Sequence, residues 1–217
     1  MPREVTSKEK EVIQRLTYSL HILDKLVFPA NPANIFLFME KPSDREHEWM
    51  VRRRINPDAC YIGYGEDVVK KSECYSMFCF GIDEFLARCM AKRFRLVKNG
   101  RILEKLTQDE AIVGIAAHEV RHRVQCHFPS LELLSPALPH NLLSKYVRRA
   151  ICVYKSEFKK LRGEFYRQEV DSVVIQHLAM ELLHWEEGSS DNIAGLVRAG
   201  ARQIRPFEGL YGVSTVT

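Results

Sequence analysis

The sequence has no apolar run that approaches the roughly 18 residues of a membrane-spanning helix. It begins with the polar stretch MPREVTSKEKEV and has no apolar core of a secretory signal there. Its six cysteines form neither a C-x-x-C pair nor a dense framework, and their neighbours are mostly apolar, as in Met77-Phe78-Cys79-Phe80. These features argue against a membrane-spanning chain and a disulfide-rich secreted domain. They predict buried, reduced thiols in a soluble, cytoplasmic protein.

The sequence also lacks a large excess of positive or negative charge. The formal net charge is only +4, and the basic clusters Arg52-Arg53-Arg54 and Lys92-Arg93-Phe94-Arg95 are short and far apart in the sequence. Such clusters are typical of solvated surface or of local ion pairs. A nucleic-acid partner is therefore not favoured, although an anionic partner for these clusters stays an alternative.

The chain of 217 residues is long enough for one sizeable domain without disulfides or metals to hold its core. The sequence has no repeats, no low-complexity segments and no clear domain boundary. It therefore predicts one mainly helical α+β domain, 1–217, with a small antiparallel sheet. An N-terminal packing helix is expected within 1–33, the sheet within 34–105 and a helical region within 106–205.

Local sequence patterns predict where helices and strands lie along the chain. Thr6 and Glu9 form a capping-box pattern, and apolar residues follow at helical spacing until Pro29. The runs NIFLFME, ACYIGYG and YSMFCFGI are rich in aromatic and branched residues and predict strands. Further on, a helical pattern runs from about 142 to 184 with a break near Gly163, and GSSDN separates it from a last helix at about 193–204.

One motif carries chemistry. The stretch TQDEAIVGIAAHEVRHRVQCHF, which begins at Thr107, opens with a second capping box and contains the H-E-x-x-H sequence that starts at His118. His118 and His122 stand four residues apart on one helix face, so both imidazoles can meet one metal ion. Glu119 lies one residue round the helix, where it can reach a metal-bound water as a general base.

A catalytic Zn2+ site needs a third protein ligand and one open position. His127 does not suit this role, because a metzincin site requires glycine at position 125 and histidine at position 128. The chain has Gln125 and Phe128 there.

The stretch GEFYRQEVDSVVIQHLAMELL offers a carboxylate instead, at the point where a second helix turns apolar. Glu169 is favoured as the third ligand, with Asp171 and Glu164 as alternatives. The sequence therefore predicts a zinc site made of two histidines and one acid.

The segment 106–124 resembles the active-site helix of gluzincin metallopeptidases of the HtpX type, in which an L-T-x-D-E start leads into H-E-x-x-H. The segment 165–179 resembles their second helix, E-x-x-A-D-x-x-A, and soluble ImmA/IrrE-like peptidases share the layout. This resemblance implies a zincin-like fold and a zinc endopeptidase that acts on protein or peptide substrates. By the same resemblance, His118 and His122 would be ligands and Glu119 the base.

The chain departs from that pattern at two positions. Arg167 stands four residues before Asp171, where the family has its ligand glutamate, and Arg121 replaces a small residue and would put a long cation beside the metal. An inactive zincin-fold binding or regulatory protein is therefore the alternative function. His177, His184 and Tyr166 are candidate hydrogen-bond donors for a reacting carbonyl, although structural roles are favoured for them.

Overall fold

The computed structural model describes residues 5–39, 43–45, 48, 61–67, 72–79, 81–91, 97–98, 101–102, 106–134, 142–159, 161–184 and 189–204. Within these residues the protein is mainly helical with a small sheet, which confirms the predicted α+β class.

The first helix, α1 (Ser7–Val27), begins at the predicted capping box. The Thr6 side chain accepts a hydrogen bond from the backbone N–H of Glu9, and the Glu9 carboxylate accepts one from the backbone N–H of Thr6. The helix ends before Pro29, which cannot donate a helical hydrogen bond. Its apolar stripe is buried in the core through Val12, Ile13, Leu16, Leu20, Leu23 and Val27.

The other elements follow in chain order. The strands are β1 (Asn34–Phe38), β2 (Tyr61–Asp67), β3 (Ser72–Phe78), and the short pair β4 (Val97–Lys98) and β5 (Arg101–Ile102). The helices are α2 (Ile82–Ala91), α3 (Gln108–His127), α4 (Leu142–Val153), α5 (Lys155–Phe158), α6 (Gly163–His184) and α7 (Ser190–Arg198).

The three-stranded sheet is mixed, so the prediction of antiparallel pairing is wrong for one of its two strand pairs. Strand β3 is central and pairs antiparallel with β2, with Tyr61 opposite Phe78. It pairs parallel with β1, with Asn34 opposite Cys74. A short connection between β2 and β3 suits an antiparallel hairpin, whereas the connection from β1 to β3 contains all of β2 and returns the chain in the same direction.

Helix α3 lies at the centre of the fold and contacts α1, α2, α6, α7 and β2. It runs antiparallel to α6, because Glu110 lies beside His184 near one end of the pair and Gln125 bonds Gln168 near the other. The two helices approach closely at Gly114, where an added Cβ atom would lie 2.5 Å from the Cγ atom of Met180. The C-terminal half of α3 therefore faces the N-terminal half of α6.

Two predicted boundaries in the C-terminal half have different outcomes. The break near Gly163 is confirmed, since this residue has a φ of 57° and starts α6. The last helix begins earlier than predicted and ends at Arg198. The Ser189 side chain accepts a hydrogen bond from the backbone N–H of Asn192, so the predicted separating stretch contains the N-cap and the first turn of this helix.

Among the described residues, none of the helices has both the length and the apolar composition needed to cross a bilayer. Cys74 and Cys79 are buried free thiols as predicted, but Cys126 and Cys152 are exposed, so that prediction is wrong for the second pair. The basic clusters at 52–54 and 92–95 lie outside the described residues.

Candidate metal centre

Three potential metal ligands meet between α3 and α6. The Nε2 atoms of His118 and His122 are 3.0 Å apart. The carboxylate oxygens of Glu169 lie 3.5 Å from the Nε2 atom of His118 and 3.4 Å from that of His122. No other group of three histidine, cysteine, aspartate or glutamate side chains in the described part of the chain brings its ligand atoms this close together.

The spacing of these atoms fits a zinc ion. In a tetrahedral site with zinc–nitrogen distances near 2.0–2.1 Å, neighbouring ligand atoms are separated by about 3.3 Å. Two imidazoles and one carboxylate form a donor set that leaves one position open for water. The side chains of His118, His122 and Glu169 are 14%, 21% and 35% exposed, so all three are partly accessible to solvent.

The cluster favours positive charge. Burial lowers the pKa of His122, but the Glu169 carboxylate, the charge of Glu119 and the contact with Gln125 together raise it to about 9. Burial raises the pKa of Glu169, but His122 and His118 lower it by more, so that it stays well below its usual range. Glu169 therefore stabilises a positive charge between the two imidazoles, whether the charge is a proton or a divalent cation.

Glu119 is buried next to these groups. Its Oε2 atom accepts no hydrogen bond from any described residue. Burial raises its pKa, with a partly opposing effect from the charges of His118 and His122. A carboxylate with a free oxygen and a raised pKa, beside potential metal ligands, is suited to accept a proton.

The other two acids that the sequence offered as ligands lie elsewhere. Asp171 is fully buried, and its carboxylate accepts hydrogen bonds from Arg121 Nε at 2.6 Å and from the backbone N–H of Leu134 at 2.8 Å. Glu164 is exposed and forms an ion pair with Arg167 on its own helix. Only Glu169, of the three acids, lies with the two histidines.

Arg121 does not place an unpaired cation beside the histidines. Its guanidinium is fully buried, bonds both oxygens of Asp171, and donates to the backbone carbonyls of Val197 and Ala199 at the end of α7. The negative end of the α7 dipole and the Asp171 carboxylate together stabilise this charge.

Sequence reasoning missed two residues beside His122. Gln125 Oε1 lies 3.0 Å from the Nδ1 atom of His122, and Ser172 Oγ lies 3.3 Å from the same atom. Gln125 is three residues after His122 on α3, and Ser172 is three residues after Glu169 on α6. Such spacing places side chains on one helix face and is the signal that could have found them.

The candidate donors have different surroundings. His177 is buried, its Nε2 atom lies 3.2 Å from the Tyr154 hydroxyl, and burial together with the charge of His118 lowers its pKa to about 3. The Nδ1 atom of His184 lies 2.9 Å from Glu110 at the start of α3. Tyr166 packs edge to face against Phe158.

His127 lies at the end of α3, near the sheet. Its Nε2 atom contacts the carboxylate of Glu73 and lies 3.5 Å from the Tyr64 hydroxyl. It is not a member of the three-residue cluster. This position agrees with the expectation that His127 is not the third ligand.

Comparison of the chain with protein-family models, with curated proteins and with solved structures finds no match. Function is therefore inferred from the geometry and chemistry of these side chains and from the sequence motif.

Proposed function

We propose that the protein is a zinc metallopeptidase of the gluzincin type with a zincin-like fold. The observation that supports this most is the approach of Glu169 to the two histidines of the H-E-x-x-H helix, at 3.4 Å and 3.5 Å. A helix carrying two histidine ligands, crossed by a second helix that supplies a carboxylate, is the arrangement that the resemblance implies. In this proposal His118, His122 and Glu169 hold Zn2+, and the substrate is a protein or peptide.

Zinc bound by these side chains would supply Lewis acidity, which polarises a peptide carbonyl and lowers the pKa of water toward about 7. Glu119 is the general base and accepts a proton from the attacking water on its Oε2 atom, to which no described residue donates a hydrogen bond. It then passes that proton to the leaving amine, so that one water and one amide become a carboxylic acid and an amine. The raised pKa of Glu119 suits both halves of this transfer.

The first test is the zinc content of the purified protein after excess metal has been removed. We expect one zinc per chain in the wild type, and loss of zinc in His118→Ala and Glu169→Gln. Glu164→Gln is the matched control, because this acid lies on the same helix but pairs with Arg167 at the surface. A wild type that binds no zinc, or a Glu169→Gln variant that binds it normally, contradicts the proposed centre.

The second test concerns catalysis. Glu119→Gln keeps the shape of the side chain but removes the base, so we expect zinc binding to persist while cleavage of unstructured peptides falls by about 100-fold or more. Peptide cleavage by wild type and variant at equal zinc occupancy is the measurement. Equal cleavage rates in the two proteins would exclude Glu119 as the base.

The alternative function is a zincin-fold binding or regulatory protein without catalysis. It is favoured by one observation, which is that Arg167 stands where the related second-helix motif has its glutamate. A wild type that binds zinc but cleaves none of a broad set of peptides would support this alternative. In that case Glu119→Gln would leave the binding function intact.

A further inference from the structure

Gln125 connects the candidate metal centre to a buried ion pair. Its side-chain amide lies between His122 on one side and the carboxylate of Asp171 on the other. We infer that Gln125 is a positioning residue, which holds the His122 ring in the orientation and the tautomer that bind a metal. This inference rests on the proposed metal centre.

The surroundings of Gln125 determine which way its amide points. Its Nε2 atom lies 2.8 Å from Asp171 Oδ2, 3.0 Å from the backbone carbonyl of Gln168 and 3.0 Å from Ser172 Oγ. The carboxylate and the carbonyl can only accept hydrogen bonds, so the NH₂ group must face them. The opposite orientation would place the amide oxygen against two acceptors inside the protein, where unsatisfied polar groups are costly.

This orientation leaves the Oε1 atom of Gln125 facing His122. Oε1 is an acceptor only, and it lies 3.0 Å from the Nδ1 atom of His122, so Nδ1 must carry the hydrogen. The Nε2 atom, which points toward His118 and Glu169, is then the ring nitrogen that gives up its proton when a metal binds. A hydrogen bond to the non-ligating nitrogen also fixes the ring plane and increases the basicity of the ligating one.

A charged anchor holds Gln125 in turn. Asp171 receives two hydrogen bonds from Arg121, and Arg121 also donates to two carbonyls at the end of α7. Gln125, Asp171 and Arg121 are all buried, at 4%, 0% and 0% exposure. The amide is therefore held by a carboxylate that cannot turn away without depriving a buried arginine of the carboxylate that balances its charge.

The test is zinc affinity in Gln125→Met, which is similar in length but can neither accept from His122 nor donate to Asp171. We expect the dissociation constant for zinc, measured by competition with a chelator, to rise about 10- to 100-fold. The visible absorption bands of the cobalt-substituted protein should also shift, since the donor strength of the His122 ring changes. A merely structural role would lower the thermal stability of the zinc-free protein without changing either reading.

Ser172→Ala is the matched control, because Ser172 is the other group near the Nδ1 atom of His122, at 3.3 Å. We expect less than about a threefold change in zinc affinity, in contrast to the 10- to 100-fold loss for Gln125→Met. Gln125→Asn keeps the amide but shortens its reach, so it should weaken zinc binding in the same direction. It replaces Gln125→Met if that variant does not fold.

Each outcome decides one question. Zinc binding by the wild type with an unchanged dissociation constant in the Gln125 variants overturns the positioning role and leaves the metal centre standing. Weakening in Ser172→Ala alone assigns the role to Ser172 and also overturns the inference. A wild type that binds no zinc overturns both the metal centre and the positioning role.

Discussion

Two buried ionisable side chains near the candidate centre have pKa values shifted in opposite directions. Burial raises the pKa of Glu119 and lowers that of His177, because removal from water disfavours the charged form of either group. Glu119 has an oxygen without a hydrogen-bond partner among the described residues, whereas His177 has the Tyr154 hydroxyl beside it. The first environment suits proton transfer, and the second suits a neutral imidazole that is part of the core.

His177 should make stability depend on pH. Its pKa is about 3 in the folded protein and about 6.5 in an unfolded chain. Between these values the unfolded chain binds a proton that the folded protein does not, so stability falls as the pH falls. The slope from this group approaches about 1.4 kcal/mol per pH unit, and above about pH 6.5 its contribution is constant.

The measurement is urea unfolding of wild type and His177→Gln between about pH 7 and pH 5. The difference between the two proteins isolates His177, because every other titrating group is common to both. We expect the wild type to lose more stability than the variant across this range. Parallel pH dependences would show that His177 is not held neutral in the folded state.

At the scale of elements, the site depends on how closely α3 and α6 approach. The shared surface includes Gly114 in the N-terminal half of α3, with Met180 and the backbone of Gln176 against it. Further along the same two helices, α6 brings Glu169 to His118 and His122 of α3. Gly114 therefore allows α3 and α6 to approach closely four residues before His118.

Gly114→Ala should destabilise the protein. The new Cβ atom would lie 2.5 Å from Met180 Cγ and 3.1 Å from the backbone oxygen of Gln176, so the helices or the methionine must move. We expect a loss of about 1–3 kcal/mol in the free energy of unfolding, measured with urea.

Gly195→Ala on α7 is the control, since an added Cβ atom there meets no atom within 4 Å. It should raise the free energy of unfolding by about 0.5–1 kcal/mol, because alanine is the better helix former. Equal stability of Gly114→Ala and Gly195→Ala would contradict close packing at Gly114.

At the scale of the whole molecule, two buried arginines join α3 to the rest of the fold. Arg121 reaches Asp171 on α6 and the end of α7. Arg123 reaches Asp24 on α1, the backbone carbonyl of Asn31, and Glu73 on β3. Removing one member of such a buried pair is far more costly than removing an exposed one, since it takes away charge compensation that water cannot replace inside the protein.

Asp24→Asn tests this joining role. Asp24 accepts hydrogen bonds from Arg123, from the Tyr75 hydroxyl and from the backbone N–H of Ala33. Loss of its charge should lower the free energy of unfolding by roughly 3 kcal/mol. The zinc content of the folded variant should be unchanged, because Asp24 is not part of the ligand cluster.

Glu164→Gln is the comparison for this measurement, because it removes one member of an exposed ion pair, with side chains 55% and 58% exposed. Its effect on the free energy of unfolding should be within about 0.5 kcal/mol. A similar loss in both variants would mean that burial of the Asp24 pair adds nothing.

The sequence by itself determined the local features. The capping boxes at Thr6 and Thr107 predicted the starts of α1 and α3, because the signal lies within one helical turn. The four-residue spacing placed His118 and His122 on one helix face for the same reason. Where a local signal is ambiguous, prediction fails at short range too: the GSSDN stretch predicts a helix start near 193, whereas Ser189 caps a helix that begins at Ser190.

Only the tertiary structure decided which side chains meet across elements. The sequence offered Glu164, Glu169 and Asp171 on one helix, and the rotation of α6 against α3 brings only Glu169 to the histidines. Asp171 is turned instead toward Arg121, a pairing between residues 50 apart in the chain. The parallel pairing of β1 with β3 is likewise a long-range choice. Packing of whole elements decides these contacts, and no local pattern of residues records it.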